Sequence, residues 1–428
     1  MLSRRALGHV IMVGLMLGLP ASAGLAQGAP QCAPDNAGLT LPDGFCAIVY
    51  ADLDGRARHL AVASNGDVFV AVGPTREQRD AGGVVVLWDS NGDGVADGRE
   101  RFGSGNGDDV EFHGEYLYFS TNSAVMRYRW REGARSPAGA PDTVVRDLPA
   151  YASHRAKSIA FGADGALYVN IGAPSNACQQ EPRTRESAGK DPCDQLETRG
   201  GIWRFDADRS GQTQRDGRRF ATGLRNTVAL TVRAQDGRVY GVQHGRDQLS
   251  ELWPEHFTND QRAELPAEEF VRIEDGDDFG WPYCYYDAER ELKVLAPEYG
   301  GDGAAVGRCS EKKGPLLALP AHWAPNGIHF YVGGQFPARY RGGAFIAFHG
   351  SWNRAPAPQG GYNVVFAPFD GDEPTGEWEV FADGFAGADV SPRGSAHRPV
   401  GIAEGPDGAL YVSDDRGNRI FRIVYVGH

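Results

Sequence analysis

The chain repeats one short phrase six times: an apolar strand, a tight turn, a second apolar strand, then a small polar cluster. The copies lie at 59–72, 110–121, 158–172, 228–245, 327–350 and 400–415. Four of them carry Asn65-Gly66, Asp164-Gly165, Asp236-Gly237 or Asp407-Gly408 at the turn. Such pairs tolerate the positive φ that two-residue hairpins between twisted strands require. A hairpin cannot bury both of its own faces, so the copies must pack on one another. Further apolar strands follow the hairpins, as at 82–89, 124–130, 200–206, 362–369 and 418–426. Four strands per repeat and six repeats predict an all-β chain, a six-bladed β-propeller with four-stranded antiparallel blades. The strand over 45–53 has no hairpin partner nearby. It is expected to join the C-terminal strands and close the ring, leaving no free edge. Residues 27–428 are read as one propeller domain, with an insertion at about 250–320 between blades four and five walling one mouth.

Residues 1–26 read as a secretory signal peptide: Arg4 and Arg5, an apolar stretch, then small residues over 21–26. The apolar stretch is shorter than the ~20 residues a membrane span needs. The expectation is therefore a periplasmic or secreted protein with no membrane span. The six cysteines agree with export. They fall as close neighbours, Cys32 with Cys46, Cys178 with Cys193 and Cys284 with Cys309, and each pair brackets one loop, so nearest-neighbour disulfides are expected. A net charge of −13 without a long basic run argues against a nucleic-acid partner.

In a propeller the innermost strands deliver their end residues to a shared central pocket. The residues before these strands are Arg58-His59, Ser153-His154-Arg155, Arg225-Asn226, Pro325-Asn326 and His397-Arg398. Those after the hairpins include His244-Gly245-Arg246, the run His349 to Arg354, and Asp414-Asp415-Arg416. Arginine and histidine thus converge on the axis without an equal set of acids, a pattern suited to a small bound polyanion. The alternative is that these groups cap strand ends and line a water-filled channel. A second pattern stands at "DSNGDGVAD". Asp89, Asn91, Asp93, the Val95 carbonyl and Asp97, with Glu100 in twelfth place, have the oxygen spacing of a calcium loop set between strands instead of helices. Its alternative is a polar turn without metal.

The runs "SHRAKSIAFGADGALYVNIG", "FATGLRNTVALTV", "DGDDFGWPYCYYD", "FHGSWNRAP" and "HRPVGIAEGPDGALYVSDD" resemble the soluble pyrroloquinoline-quinone-dependent sugar dehydrogenases, in the branch of sorbosone and aldose sugar dehydrogenases. The resemblance covers about 40–428. It implies an exported quinoprotein oxidoreductase that oxidises a sugar or sugar aldehyde by hydride transfer to calcium-bound pyrroloquinoline quinone (PQQ), and then reduces an external acceptor, a cytochrome or a quinone. His154 would be the general base. Arg225 and Asn226 would face the quinone oxygens, with the Arg225 charge stabilising the reduced cofactor. Arg398 and Arg354 would be further basic contacts, and Trp323 or Trp352 would cover the cofactor ring. Backbone carbonyls of Gly245-Arg246 would hold the calcium ion. Two positions depart from the pattern: Ser153 stands where some relatives carry aspartate, and Arg246 where they carry proline. Two other readings compete with this one, a calcium-dependent sugar lactonase-like hydrolase and a non-catalytic propeller that has lost its cofactor.

Overall fold

The repeated hairpins form the inner strands of six antiparallel sheets arranged as a six-bladed β-propeller. The computed structural model describes Met1 and residues 31–427; apart from Met1, the expected signal segment lies outside the described residues. Blade one comprises Arg56–Val62, Val68–Gly73, Gly83–Trp88 and Gly98–Phe102. Blade two comprises Gly107–His113, Tyr116–Thr121, Val125–Arg129 and Asp142–Val145. Blade three runs Ile159–Phe161, Ala166–Ile171, Gly201–Asp206 and Arg218–Thr222, with Asp277–Asp278 added in parallel at its outer edge. Blade five runs Pro325–Phe330, Ala344–Phe348, Asn363–Ala367 and Glu379–Ala382.

Side chains on a strand alternate between the two faces of its sheet, and each blade is covered on both faces. This is why Val68–Gly73 is buried throughout. Val68, Val70 and Val72 point to blade six, where they meet Tyr411, Ile420 and Val424. Phe69 and Ala71 point the other way and pack with Val110, Leu117 and Phe119 of blade two. The core is therefore a set of slabs between neighbouring blades, and the axis is left to polar groups. At the hub end the inner strands of blades one, two, five and six lose register at Arg58-His59, Asp108, Asn326 and Val400-Gly401. A bulge bends its strand and re-aims the extra side chain. In blades one and two it delivers Arg58, His59 and Asp108.

Blade six comprises Pro399–Glu404, Leu410–Asp414 and Arg419–Tyr425, and its outer strand comes from the other end of the chain. Phe45–Asp52 pairs antiparallel with Arg419–Tyr425, from Phe45 opposite Tyr425 to Asp52 opposite Arg419. The Phe45 ring meets Phe336, Tyr340, Phe381 and Tyr425 at centroid distances of 4.7, 5.5, 5.1 and 4.9 Å. One aromatic cluster thus joins blade six to blade five.

The region expected as an insertion between blades four and five holds half of blade four itself. That blade runs Ala229–Val232, Val239–Gln243, Glu268–Ile273 and Leu317–Leu319. A loop with two short helices, Leu249–Leu252 and Asn259–Glu264, precedes its third strand. A loop carrying the hairpin Cys284–Asp287 and Leu292–Leu295 precedes its fourth. The outer strands are short and set apart by these loops, which dilutes their apolar pattern in sequence. The disulfides are Cys32–Cys46, Cys178–Cys193 and Cys284–Cys309, as neighbouring positions suggest. Among the described residues no helix is long and apolar enough to cross a membrane.

Phe45→Ala removes a buried ring from the seam between the last two blades. It is expected to cost about 3–5 kcal/mol, read as a fall in the urea midpoint with little change in the slope.

Candidate active site

His59 closes the hub. It stands on the inner strand of blade one and donates from Nε2 to the Asn326 carbonyl of blade five at 2.7 Å, while its Nδ1 lies 3.1 Å from Asp109 of blade two. Three blades are tied through one imidazole. A Cβ on Gly401 of blade six would sit 2.8 Å from the His59 Cα, so only glycine allows this approach.

On one side of the axis His154 and Arg225 are held by separate devices. His154 Nδ1 is 2.6 Å from the Ala173 carbonyl, which only accepts, so Nδ1 carries the proton and Nε2 keeps a free lone pair. The residue has φ 49°, a conformation that persists only where surroundings over-determine it. Gly172 makes room: a Cβ there would lie 2.7 Å from both the His154 Cβ and Asn226 Oδ1. Burial, then the Arg225 charge, pushes the His154 pKa down to about 3. Arg225 is itself buried, and its guanidinium donates to Asp247 at 2.8 Å, to the Gly245 carbonyl at 2.7 Å and to Asn176 at 3.2 Å. Burial works against ionisation of Asp247, yet Arg225, followed by His322 and Arg183, holds its carboxyl well below the usual range. Asn226 accepts from Asn170 at 3.2 Å.

Across the axis Arg58 and His349 share one carboxylate. Asp415 accepts from Arg58 at 2.8 Å and lies 2.7 Å from His349 Nε2. Burial opposes its ionisation, but His349 and Arg58 overcome that and hold it low. Arg398 donates to the carbonyls of His349 and Gly350, both at 2.7 Å. The hub is therefore not poor in acids, as the sequence pattern suggested. Asp109, Asp247 and Asp415 pair with its cations, while burial pushes the Glu268 carboxyl up to about 8 and it accepts from the Gly245 and Ala324 backbone N–H groups. Asp247, Glu268 and Asn176 were missed by the sequence reading. The one sequence signal for Asp247 is its place just beyond the blade-four hairpin, where blade six has Asp415.

Several expected site residues lie elsewhere. Arg354 pins the blade-four loop, donating to Glu264 at 2.5 Å and to the Pro358 and Ala321 carbonyls at 3.0 and 3.2 Å. Trp323 packs in the core of blades four and five, 5.5 Å from Phe348 and 5.9 Å from Trp378. Trp352 is 51% exposed with Arg183 over its ring at 5.9 Å, and the next residue, Asn353, donates to Asp247 at 3.0 Å. An exposed indole therefore stands beside the Arg225 ion pair.

At Gly245-Arg246 the donor set does not fit a calcium ion. The Gly245 carbonyl is engaged by the Arg225 guanidinium, and the buried Arg246 side chain is committed to Glu298. In the loop over 89–100 the carboxylates serve the backbone. Asp89 accepts from Gly92 and Gly94 at 2.7 and 2.8 Å, Asn91 from Asp93 at 2.8 Å, and Asp93 from Val95 at 2.8 Å. Asp97 binds Ser90, and Glu100 binds Ser136 of blade two. Among the described residues the metal-like grouping of side-chain ligand atoms is Cys178, Cys193 and Asp194, two of which form a disulfide. The five oxygen donors and the Val95 carbonyl are thus arranged as a turn held by its own hydrogen bonds.

The chain belongs to the TrAA12-like family, whose model matches residues 39–425. A pyrroloquinoline quinone-dependent pyranose dehydrogenase of Coprinopsis cinerea is 30% identical over 241 residues, 48% of this chain and 31% of that protein. An uncharacterised protein of Borreliella burgdorferi is 33% identical over 206 residues, 48% of each chain. The chain thus aligns with about half the length, or less, of these curated relatives. In fold it is similar to the holo PQQ domain of the Coprinopsis cinerea pyranose dehydrogenase, with TM-score 0.72 and 20% identity over 93% of this chain and 98% of that one. A Trichoderma reesei structure of carbohydrate-active enzyme family AA12 gives TM-score 0.72 at 18% identity, covering 91% and 98%. The apo aldose sugar dehydrogenase of Escherichia coli gives 0.56 at 16%, covering 89% and 99%.

The residues at the axis fit a planar, multiply carboxylated quinone. Arg225 Nε is buried without a partner, as are Asn353 Oδ1 and two nitrogens of Arg246. Guanidinium groups are the natural partners of carboxylates. Arg225, Asn226 and Arg398 would hold the quinone.

Burial also pushes the His244 pKa down, to about 4, so His154 and His244 are neutral in the native state where an unfolded histidine titrates near 6.5. The unfolded chain binds more protons between these values. Stability from the pair is complete above about pH 6.5 and is lost as pH falls towards about 4 and below. Relative to the wild type, His244→Gln should reduce the loss of melting temperature on acidification across that window.

Proposed function

We propose that this chain is an exported sugar oxidoreductase that oxidises an aldose or sugar aldehyde with PQQ bound at the propeller hub. The observation that carries this reading is His154, with Nδ1–H fixed on Ala173 and Nε2 free beside Arg225 and Asn226. Family membership and the pyranose dehydrogenase relative support the substrate class and the cofactor. Three disulfides support an oxidising compartment, periplasmic or extracellular.

When bound, the quinone supplies the two-electron acceptor for the hydride that leaves the sugar carbon. The protein's own groups do the rest. His154 takes the hydroxyl proton at Nε2, and the Ala173 carbonyl holds the ring in the one tautomer that can do so. Burial and the Arg225 charge keep it unprotonated near neutral pH. Arg225, steadied by Asp247 and the Gly245 carbonyl, offers a fixed positive charge where negative charge develops. Trp352, exposed at the rim, offers an apolar face to a sugar ring. Electrons then pass to an external acceptor, a cytochrome or a quinone. Because the Gly245-Arg246 donors do not fit calcium, no step is routed through a metal ion.

The test is reconstitution of purified protein with PQQ, followed by oxidation of aldoses and sugar aldehydes with a dye acceptor. Binding of the quinone by absorbance and dye reduction with at least one sugar are expected. Absence of quinone binding, with and without added calcium, overturns the proposal. His154→Gln should leave quinone affinity within a few-fold and lower turnover by about 10²–10⁴-fold; full turnover in that variant refutes the base assignment.

A further inference from the structure

A cleft of about 630 Å³ opens beside the hub, lined from blades one and six and from the segment that leads into blade three. Its walls hold five arginines, Arg56, Arg76, Arg79, Arg155 and Arg416, against two acids, Glu77 and Asp415. Asp415 is already committed to Arg58 and His349. Among the described residues Arg76, Arg79 and Arg155 make no ion pair and donate no side-chain hydrogen bond, and all three are exposed. A chain of net charge −13 thus concentrates unpaired cations in one concave place. The place is not remote from the chemistry: Arg155 directly follows His154, and Asp415 belongs to both the cleft wall and the hub.

Volume and shape decide what fits. A cleft of this size matches a ligand of one to a few sugar units. Guanidinium forks pair bidentately with carboxylates, so the charge selects an acidic ligand and the volume a small one. We propose that the substrate is an acidic carbohydrate, a uronic acid or a short oligosaccharide bearing one, whose carboxylate is held by Arg76, Arg79 and Arg155 while its reacting carbon faces His154. This rests on the proposed sugar oxidation for the role of His154; the binding of acidic sugars at the cleft stands by itself.

The experiment is titration calorimetry on the full chain, with and without PQQ, using galacturonate, trigalacturonate, galactose and inorganic sulfate. The uronates should bind at least tenfold more tightly than galactose, and binding should weaken as salt is raised. Binding should persist in the quinone-loaded protein. The double variant Arg76→Glu, Arg79→Glu alters only an exposed loop; it should melt as the wild type does and lose at least tenfold in uronate affinity. Equal affinity for galactose and galacturonate overturns the proposal. So does loss of uronate binding on loading the quinone, which would make the cleft the cofactor's own. Sulfate binding as tightly as galacturonate also overturns it, because the cleft would then read charge alone. If no sugar is oxidised by the wild type while uronate binding behaves as stated, the oxidoreductase reading fails and the acidic-sugar site survives.

Discussion

A guanidinium group taken out of water must be met by acceptors, or its burial costs more than the fold can supply. That constraint shapes the centre of this protein. The six slabs of apolar side chains lie between blades, so the axis receives what the strand ends deliver, and these are arginines, histidines and carboxylates. Arg225 is 3% exposed and meets Asp247, Gly245 and Asn176; Arg398 meets two carbonyls; Arg58 and His349 meet Asp415. Removing one partner of such a buried pair costs about 3–5 kcal/mol. The charges of the hub are thus mutually committed.

The commitment extends outwards through the long loops of blades three and four. Asn176 accepts from Arg225 through its side chain and also from the Asp247 backbone at 2.8 Å, so one amide registers both members of the ion pair. The Asn176 carbonyl is held in turn by Trp281 Nε1 at 2.9 Å. Trp281 packs with Cys178 and Cys193, whose disulfide begins two residues beyond Asn176. The neighbouring Cys284–Cys309 bridge ties down the hairpin that follows Trp281. On the far side Glu298 receives both Arg246 and Trp253 Nε1. Loops that look like decoration in the sequence are the frame that fixes the Arg225 guanidinium, and precise placement of such a group is worth more than its presence.

The architecture was legible because its signals are local. An Asp-Gly or Asn-Gly turn between alternating apolar runs declares a hairpin within about a dozen residues, and the six copies declare the ring. Neighbouring cysteines declared their own bridges for the same reason. His154, Arg225, Asn226 and Arg398 were legible as strand-end residues. What escaped depends on chain segments far apart. Asp247 and Asn176 are seventy-one residues apart and meet only after two blades fold. Arg354 reads as a hub cation from its motif, yet Glu264, ninety residues earlier, draws it into a loop. Trp323 has the same ambiguity, and Phe348 and Trp378 resolve it towards the core. Blade four escaped because its strands are separated by loops longer than themselves. Periodicity reports which face a residue occupies, and it carries no information on which distant charge will neutralise it.

The overall acidity of the chain says little about what its mouth attracts. At physiological salt an exposed charge is screened beyond about 8 Å. A ligand at the cleft therefore responds to the arginines around it and only weakly to the net −13 spread over the remaining surface. Inside the hub screening is weaker, but there the charges are already paired and offer little net attraction. Selection is thereby divided in two. The open cleft sorts by charge at the moment of encounter, where unpaired guanidinium groups are most effective. On the proposed reading the buried axis would sort by geometry, because His154 would accept a proton only from a hydroxyl that reaches Nε2 while Ala173 holds the opposite side of the ring. A propeller suits this division, since each of its inner strands ends at the same mouth and the loops beyond can vary without disturbing the ring.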